Sequence, residues 1–184
     1  MRIIAGSKRG CPIAAPKGRD TRPTLDRVRE SLFGILQFDV PGRRVLDLFA
    51  GSGSLGLEAL SRGAAFAYFC DKDREAVRAL RGNIERLGFE SRSKIFPCPF
   101  EGAVAALKAA GERVDLVFLD PPYHAGLYGK AFSALLGGGV LAPGCVLLAE
   151  HPPRSPLELP AGLTAYDTRR YGEVGLTFIR EENA

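Results

Sequence analysis

"VLDLFAGSGSLGLEAL", residues 45–60, decides the fold. An apolar run ends in an acid, Asp47. A bend of small residues follows, with Gly51, Gly53 and Gly56 spaced G-x-G-x-x-G. An apolar strand that feeds a glycine bend and then a helix is the fingerprint of a dinucleotide-binding turn. Glycine lets backbone approach a ligand with no Cβ in the way. The helix that follows points its first N–H groups at the same spot.

The pattern on either side agrees with that reading. Apolar runs recur at 44–49, 66–70, 94–97, 114–119 and 145–149, with helical stretches between them near 54–62, 73–87, 101–110 and 125–136. Strand and helix in turn imply right-handed crossovers and a parallel sheet covered on both faces. "LTAYDTRRYG" and "VGLTFIREE" flank a Gly172-Glu173 turn and read as a closing hairpin. Upstream, "RIIAG" and "CPIAAP" predict a small hairpin with Lys8 and Arg9 at its tip. The loop "PKGRDTRP" and a helix from an N-cap at Thr24 to about Phe38 come next. The expected fold is α/β: a Rossmann-like, doubly wound, mostly parallel seven-stranded sheet with an antiparallel C-terminal edge strand, plus the N-terminal hairpin and helix. The expected organisation is a single domain over 1–184, with 1–40 a basic extension and 41–184 the α/β core.

Composition narrows the class. The chain has 184 residues, 46% of them hydrophobic, enough for a sizeable core. No apolar run approaches the roughly 20 residues of a membrane span, and the N-terminus lacks the apolar stretch of a signal peptide. The four cysteines, Cys11, Cys70, Cys98 and Cys145, form no C-x-x-C pair. Neither a zinc site nor a disulfide framework is expected, and a reduced, cytoplasmic protein is. The net charge of +4 lies entirely at one end: residues 1–30 hold eight Arg and Lys against three acids, in a chain with 25 against 21. A local basic patch is the footprint of a polyanion binder; a solvated tail is the alternative.

Three acids at predicted strand ends narrow the ligand. A buried carboxylate beside a pyrophosphate is repulsive, whereas beside an amino acid's ammonium it is attractive. S-adenosylmethionine has that ammonium, a positive sulfonium and no phosphate, so Asp47 favours it over a nicotinamide dinucleotide. Phe49 offers a π face nearby or a core side chain. Asp71, ending "YFCD", is placed to accept from both ribose hydroxyls of either ligand, and Asp73 starts the next helix. The stretch "VDLVFLDPPY", residues 114–123, ends an apolar strand in Asp120-Pro121-Pro122-Tyr123. Two prolines remove donors and leave carbonyls free to accept. Asp120 and the Pro121 carbonyl can then take N–H bonds from an exocyclic amine while Tyr123 stacks on the ring. A plain strand-to-loop turn is the alternative for this stretch taken alone.

"DLFAGSG" with "DPPY" resembles the amino-group S-adenosylmethionine-dependent methyltransferases. "MRIIAGSKRG", "TRPTLDRVRESLFGIL", "LFAGSGSLGLEALSRGA" and "DKDREAV" further resemble the RsmD-type bacterial 16S ribosomal RNA guanine-N2 methyltransferases, over nearly the whole chain. The resemblance implies a cofactor site at Asp47, Gly51, Gly53 and Asp71, and a target-amine site at Asp120, Pro121 and Tyr123. It also implies a 16S RNA partner, and no metal. Many relatives carry an Asp after the third strand of the α/β part, contacting adenine. Here the stretch reads "IFPCPFEG", so backbone near Pro99 and Phe100 is expected to take that role. Arg2, Lys8, Arg9, Arg19 and Arg22 are expected to hold RNA phosphates. Arg29 borders the apolar helix face of Leu25, Val28, Leu32, Ile35 and Leu36, and is expected with Arg22 at the active-site mouth. His124 and His151 read as loop residues. An adenine-N6 methyltransferase, a nicotinamide-dependent oxidoreductase and a non-catalytic RNA-binding module are the other readings. No long exposed apolar stripe demands a dimer, so a monomer is expected.

Overall fold

The computed structural model describes residues 1–15, 23–122, 126–155 and 157–182, with side chains in the first helix described from Asp26 onward. Among the described residues the α-helices and strands are, in order, α1 (Pro23–Ile35), β1 (Arg44–Asp47), α2 (Ser54–Ser61), β2 (Phe66–Cys70), α3 (Arg74–Leu87), β3 (Ser93–Phe96), α4 (Phe100–Ala109), β4 (Val114–Leu119), α5 (Tyr128–Gly138), β5 (Leu141–His151), β6 (Leu163–Tyr171) and β7 (Val174–Glu181). The seven strands form one sheet in the order β3-β2-β1-β4-β5-β7-β6. The first five in that order are parallel, and β7 runs antiparallel to both β5 and β6. The strand order reverses between β1 and β4, and crevices at such reversals, beyond the carboxyl ends of the strands, are where ligands bind.

Buried side chains form two clusters, one on each sheet face. Val28, Leu32, Phe33 and Leu36 pack with Leu57 and Leu60 of α2 and Leu80 and Ile84 of α3 on one side. Ala103, Val104 and Leu107 of α4 pack with Ala131, Phe132 and Leu135 of α5 on the other. Both faces of β4 are buried, which explains its continuous apolar reading. All four cysteines are free thiols, and burial pushes Cys145 up to about 12. Among the described residues no helix is long and apolar enough to cross a membrane.

Three boundaries differ from the sequence reading. α1 starts at Pro23, so Thr24 lies inside the helix, and it ends at Ile35 rather than near Phe38. Beyond it, Leu36 O accepts from the N–H groups of Asp39 and Val40; Val40 is tucked into the core and Phe38 is 87% exposed. β5 begins at Leu141 and reaches His151, so His151 is a buried strand residue rather than a loop residue. The predicted N-terminal hairpin is a short ribbon: Ile3 N–H donates to Cys11 O, Gly10 N–H to Ile3 O and Ile13 N–H to Met1 O. Its turn docks on the C-terminal end of α2, where Lys8 N–H donates to Ser61 Oγ and Ser7 N–H to Ser61 O.

Candidate active site at the carboxyl edge of the sheet

The turn after β1 is held open by its glycines. Gly51 (φ 55°) and Gly53 (φ 84°) take left-handed conformations that a side chain would strain. A Cβ on Gly51 would meet nothing within 4 Å, so this backbone faces free space. The third glycine has a different task. A Cβ on Gly56 would lie 2.3 Å from the Phe69 ring, so its absence lets α2 close onto β2. Gly53, at the N-cap of α2, has no side chain to cap the helix.

Asp47 lies beneath this turn, 2% exposed, with Oδ2 accepting from Gly56 N–H at 3.0 Å. Burial pushes its pKa up to about 7; the Gly56 bond opposes the rise and the nearby Asp71 charge adds to it. A carboxylate so placed lacks a counter-charge and would gain from a cation. Asp71, at the end of β2, braces the same turn by accepting from Gly51 N–H at 2.8 Å and Asp73 N–H at 2.9 Å. Asp73 caps α3 through Glu75 N–H and Ala76 N–H, as the sequence implied. Asp71 N–H in turn donates to Phe96 O, tying the end of β2 to that of β3. Pro99 then caps α4, and Phe100 is buried with its ring 5.6 Å from that of Phe49.

The second corner sits beside the first. β1 and β4 pair with Asp47 opposite Phe118, and Leu48 N–H donates to Phe118 O. Continuing that register two residues sets Asp120 beside Phe49, one strand spacing away (about 4.8 Å). Asp120 is exposed and Pro121 buried, while Tyr123 and His124 lie outside the described residues. The ends of β3, β2, β1 and β4 therefore bring Pro99 and Phe100, Asp71, Asp47 and the glycine turn, and Asp120 into one row. Among the described residues no three His, Cys, Asp or Glu side chains cluster as metal ligands would.

The basic residues divide. Arg2 and Arg9 are exposed and flank a cavity of about 380 Å³ between the ribbon and α1, shared with Asp26, Arg27 and Glu30. Lys8 sits at the far end of α2, its ammonium 5.8 Å from the centre of the Phe89 ring. An eight-residue helix, about 12 Å long, separates it from the glycine turn. Arg19 and Arg22 lie outside the described residues. Arg29 departs from expectation: it is 4% exposed, and its guanidinium donates to Arg2 O and to Asp26 Oδ1. The helix face is rotated so that Val28, Leu32, Phe33 and Leu36 are buried with it, while Ile35 turns outward. Burial lowers its pKa, with Asp26 and Glu58 opposing. Arg29 fastens α1 to the N-terminal ribbon.

Three residues that the sequence reading passed over support the site. Glu58, fully buried on α2, accepts from Ile4 N–H (2.7 Å), Ala5 N–H (3.0 Å) and Arg62 Nε–H (2.7 Å). Asn83, fully buried on α3, donates to Ser52 O at 3.0 Å and Ala14 O at 2.9 Å and accepts from Ala14 N–H. One amide thus joins the glycine turn to the N-terminal segment. Tyr128, opening α5, donates to Glu150 O, and burial followed by the Asp120 and Glu150 charges raises its pKa.

Comparison with known proteins shows the family. The chain matches the family described as Conserved hypothetical protein 95 over residues 1–180. It is similar to the Ribosomal RNA small subunit methyltransferase D of Escherichia coli strain K12, 34% identical over 183 residues, covering 99% of this chain and 90% of that protein. It is also similar to the protein of that name from Haemophilus influenzae, 35% identical over 177 residues, covering 95% and 90%. The solved structure of the Escherichia coli protein yhhF matches with a TM-score of 0.86 at 30% identity, covering 100% of this chain and 99% of that one. That of a hypothetical protein from Thermus thermophilus matches at 0.80 and 36%, covering 97% and 98%. The chain belongs to this family, alongside the small-subunit ribosomal RNA methyltransferases D.

Proposed function

We propose that this protein transfers a methyl group from S-adenosylmethionine to the exocyclic N2 amine of a guanine in small-subunit (16S) ribosomal RNA. The observation that carries the reading is the order of the strand ends. β3, β2, β1 and β4 present, in succession, the α4 start, Asp71, the glycine turn over Asp47, and Asp120. Adenine, ribose, methionine and methyl acceptor follow one another in that order along such a ligand and its target. The residues fit the cofactor. Asp47 is a buried carboxylate without a counter-charge, held near pH 7 by its surroundings, and an ammonium would supply that charge. The face over Gly51 is free, and Asp71 is partly exposed beside it.

S-adenosylmethionine, once bound, supplies a methyl already activated on a sulfonium. The chain's residues then position and stabilise. The amine lone pair conjugates with the guanine ring, so the nitrogen is a poor nucleophile. Asp120 and the Pro121 carbonyl are the acceptors for its two N–H bonds, favouring pyramidal nitrogen and countering the positive charge that develops there. Transfer forms the nitrogen–carbon bond as the carbon–sulfur bond breaks, leaving a neutral thioether. The proton on the charged nitrogen then leaves to Asp120 or to water. A duplex guanine would be flipped out, whereas a loop guanine is already splayed. Arg2 and Arg9, with Lys8, Arg19 and Arg22, hold flanking phosphates in this reading, in a cytoplasmic monomer.

The test is tritium transfer from labelled S-adenosylmethionine to unmodified small-subunit RNA, followed by nucleoside digestion. Label in N2-methylguanosine is the expected result. Label in N6-methyladenosine would reassign the base, and no label in either naked RNA or assembled particles would end the proposal.

A further inference from the structure

A second cavity lies on the same sheet edge, one strand beyond Asp120. β4 and β5 pair with Leu119 opposite Ala149, so the register carried forward sets Pro121 beside His151. His151 pairs with Gly175 of β7, and Gly175 with Arg170 of β6. The target-amine corner and Arg170 are therefore separated by three strand spacings, roughly 15 Å. Tyr128 ties the two regions, since Asp120 acts on its phenol, which donates to Glu150 O next to His151.

The cavity holds about 340 Å³, within the range of small-ligand sites. Pro153, Leu157, Leu159 and Ala165 form apolar walls, and Arg154 and Arg170 stand at its rim. Among the described residues no acidic side chain lines it. Arg169 is neutralised by Asp167 at 2.8 Å, whereas Arg154 and Arg170 are exposed with no acid within ion-pair distance among the described residues. The floor is an ordered chain of polar groups. His151 Nδ1 lies 2.9 Å from Pro152 O, which can only accept, so the ring proton sits on Nδ1. His151 Nε2 lies 2.8 Å from the Thr177 hydroxyl, which lies 3.2 Å from that of Thr168. The Thr168 oxygen keeps a lone pair for an N–H donor in the cavity.

We propose that this cavity seats one nucleotide of the substrate RNA strand next to the guanine that is modified. Its base lies against the Leu157–Leu159 wall with an N–H toward Thr168, and its phosphate lies between Arg154 and Arg170. Apolar walls for a base, a hydroxyl acceptor beside them and two exposed guanidinium groups for a phosphate suit an unstacked nucleotide. This inference rests on the reading of the substrate as RNA.

The experiment compares the full chain with the double variants Arg154→Glu/Arg170→Glu and Arg154→Lys/Arg170→Lys. It measures methyl transfer to small-subunit RNA and binding of labelled single-stranded RNA by fluorescence anisotropy. The Glu pair should raise KM for RNA and Kd for the strand roughly tenfold or more, with S-adenosylmethionine affinity and melting temperature held. It should also flatten the salt dependence by about one phosphate contact. The Lys pair should recover most of the loss. Wild type that methylates RNA with the Glu pair matching it in KM, Kd and salt slope would overturn the cavity site and leave the RNA reading standing. Wild type that neither binds nor methylates RNA would overturn both. A loss confined to assembled particles, with naked-strand binding intact, would assign the cavity to a ribosomal protein and overturn the proposal.

Discussion

Asp47→Asn should make the cofactor-free protein more stable and a poorer binder. Asn keeps an oxygen to accept the Gly56 N–H and carries no charge. A carboxyl whose pKa rises from 3.8 to about 7 on folding resists ionisation by about 4 kcal/mol, at roughly 1.36 kcal/mol per unit. Between those two values the unfolded chain has lost the proton and the folded chain retains it. Wild-type stability therefore falls as pH rises through this window and levels off above about 7. The advantage of the Asn variant should be about 0.5 kcal/mol near pH 4 and widen to about 4 kcal/mol near pH 8. For a chain of this size that upper figure is a melting-point gap on the order of 10 °C. Thermal melts by circular dichroism across this pH range read it directly. S-adenosylmethionine should then reverse the ranking. Its ammonium favours ionised Asp47, so wild-type affinity should climb with pH up to about 7; the Asn variant should bind roughly tenfold or more weakly above that pH and approach wild type near pH 4. A variant less stable than wild type near pH 8, or a stability gap that does not widen with pH, would refute the reasoning.

Asp120→Ala should keep S-adenosylmethionine affinity within about twofold and lose turnover by roughly a hundredfold or more, as read by tritium transfer. Asn83→Ala leaves Ser52 O and both polar groups of Ala14 without their partner; about 2–3 kcal/mol of stability should go, seen in urea melts, and cofactor affinity should drop although Asn83 touches no ligand. Arg29→Met removes the bonds to Arg2 O and Asp26 and should lower stability by about 1–3 kcal/mol. The salt slope of RNA binding should stay unchanged in that variant, in contrast to Arg2→Ala or Arg9→Ala.

The parallel part of the sheet was legible because each unit carries its own punctuation. Apolar runs end in Asp47, Asp71 and Asp120, and helices begin at the glycine turn and at the Asp73 cap. Where tertiary packing outweighs local pattern, the reading fell short. Arg29 looked like a border residue because helical spacing cannot say which neighbour covers a face. The Arg2 carbonyl, 27 positions away, decided it. Glu58 and Asn83 gave no signal of their own; each bonds backbone of the N-terminal segment, Ile4 and Ala14, 54 and 69 positions away. The start of β5 was hidden by "APGC", since Val114 pairs with Leu141 and Leu116 with Val146, so the intervening residues loop out of register. His151 was masked by the prolines that follow it. The hairpin tip was read correctly as a turn, but its basic residues gave no hint that Lys8 packs at the opposite end of α2 from the site.

The insertion of β7 between β5 and β6 bears on how the chain is made. β5 borders β4, yet its outer neighbour is the later arm of the closing hairpin. A nascent polypeptide that has emerged only as far as β6 has no partner for that side of β5, leaving an apolar run of Cys145, Leu147, Leu148 and Ala149 with bare amide and carbonyl groups. Such an edge is a template for wrong pairing. Chains halted before residue 174 should therefore aggregate rather than accumulate as partly active enzyme.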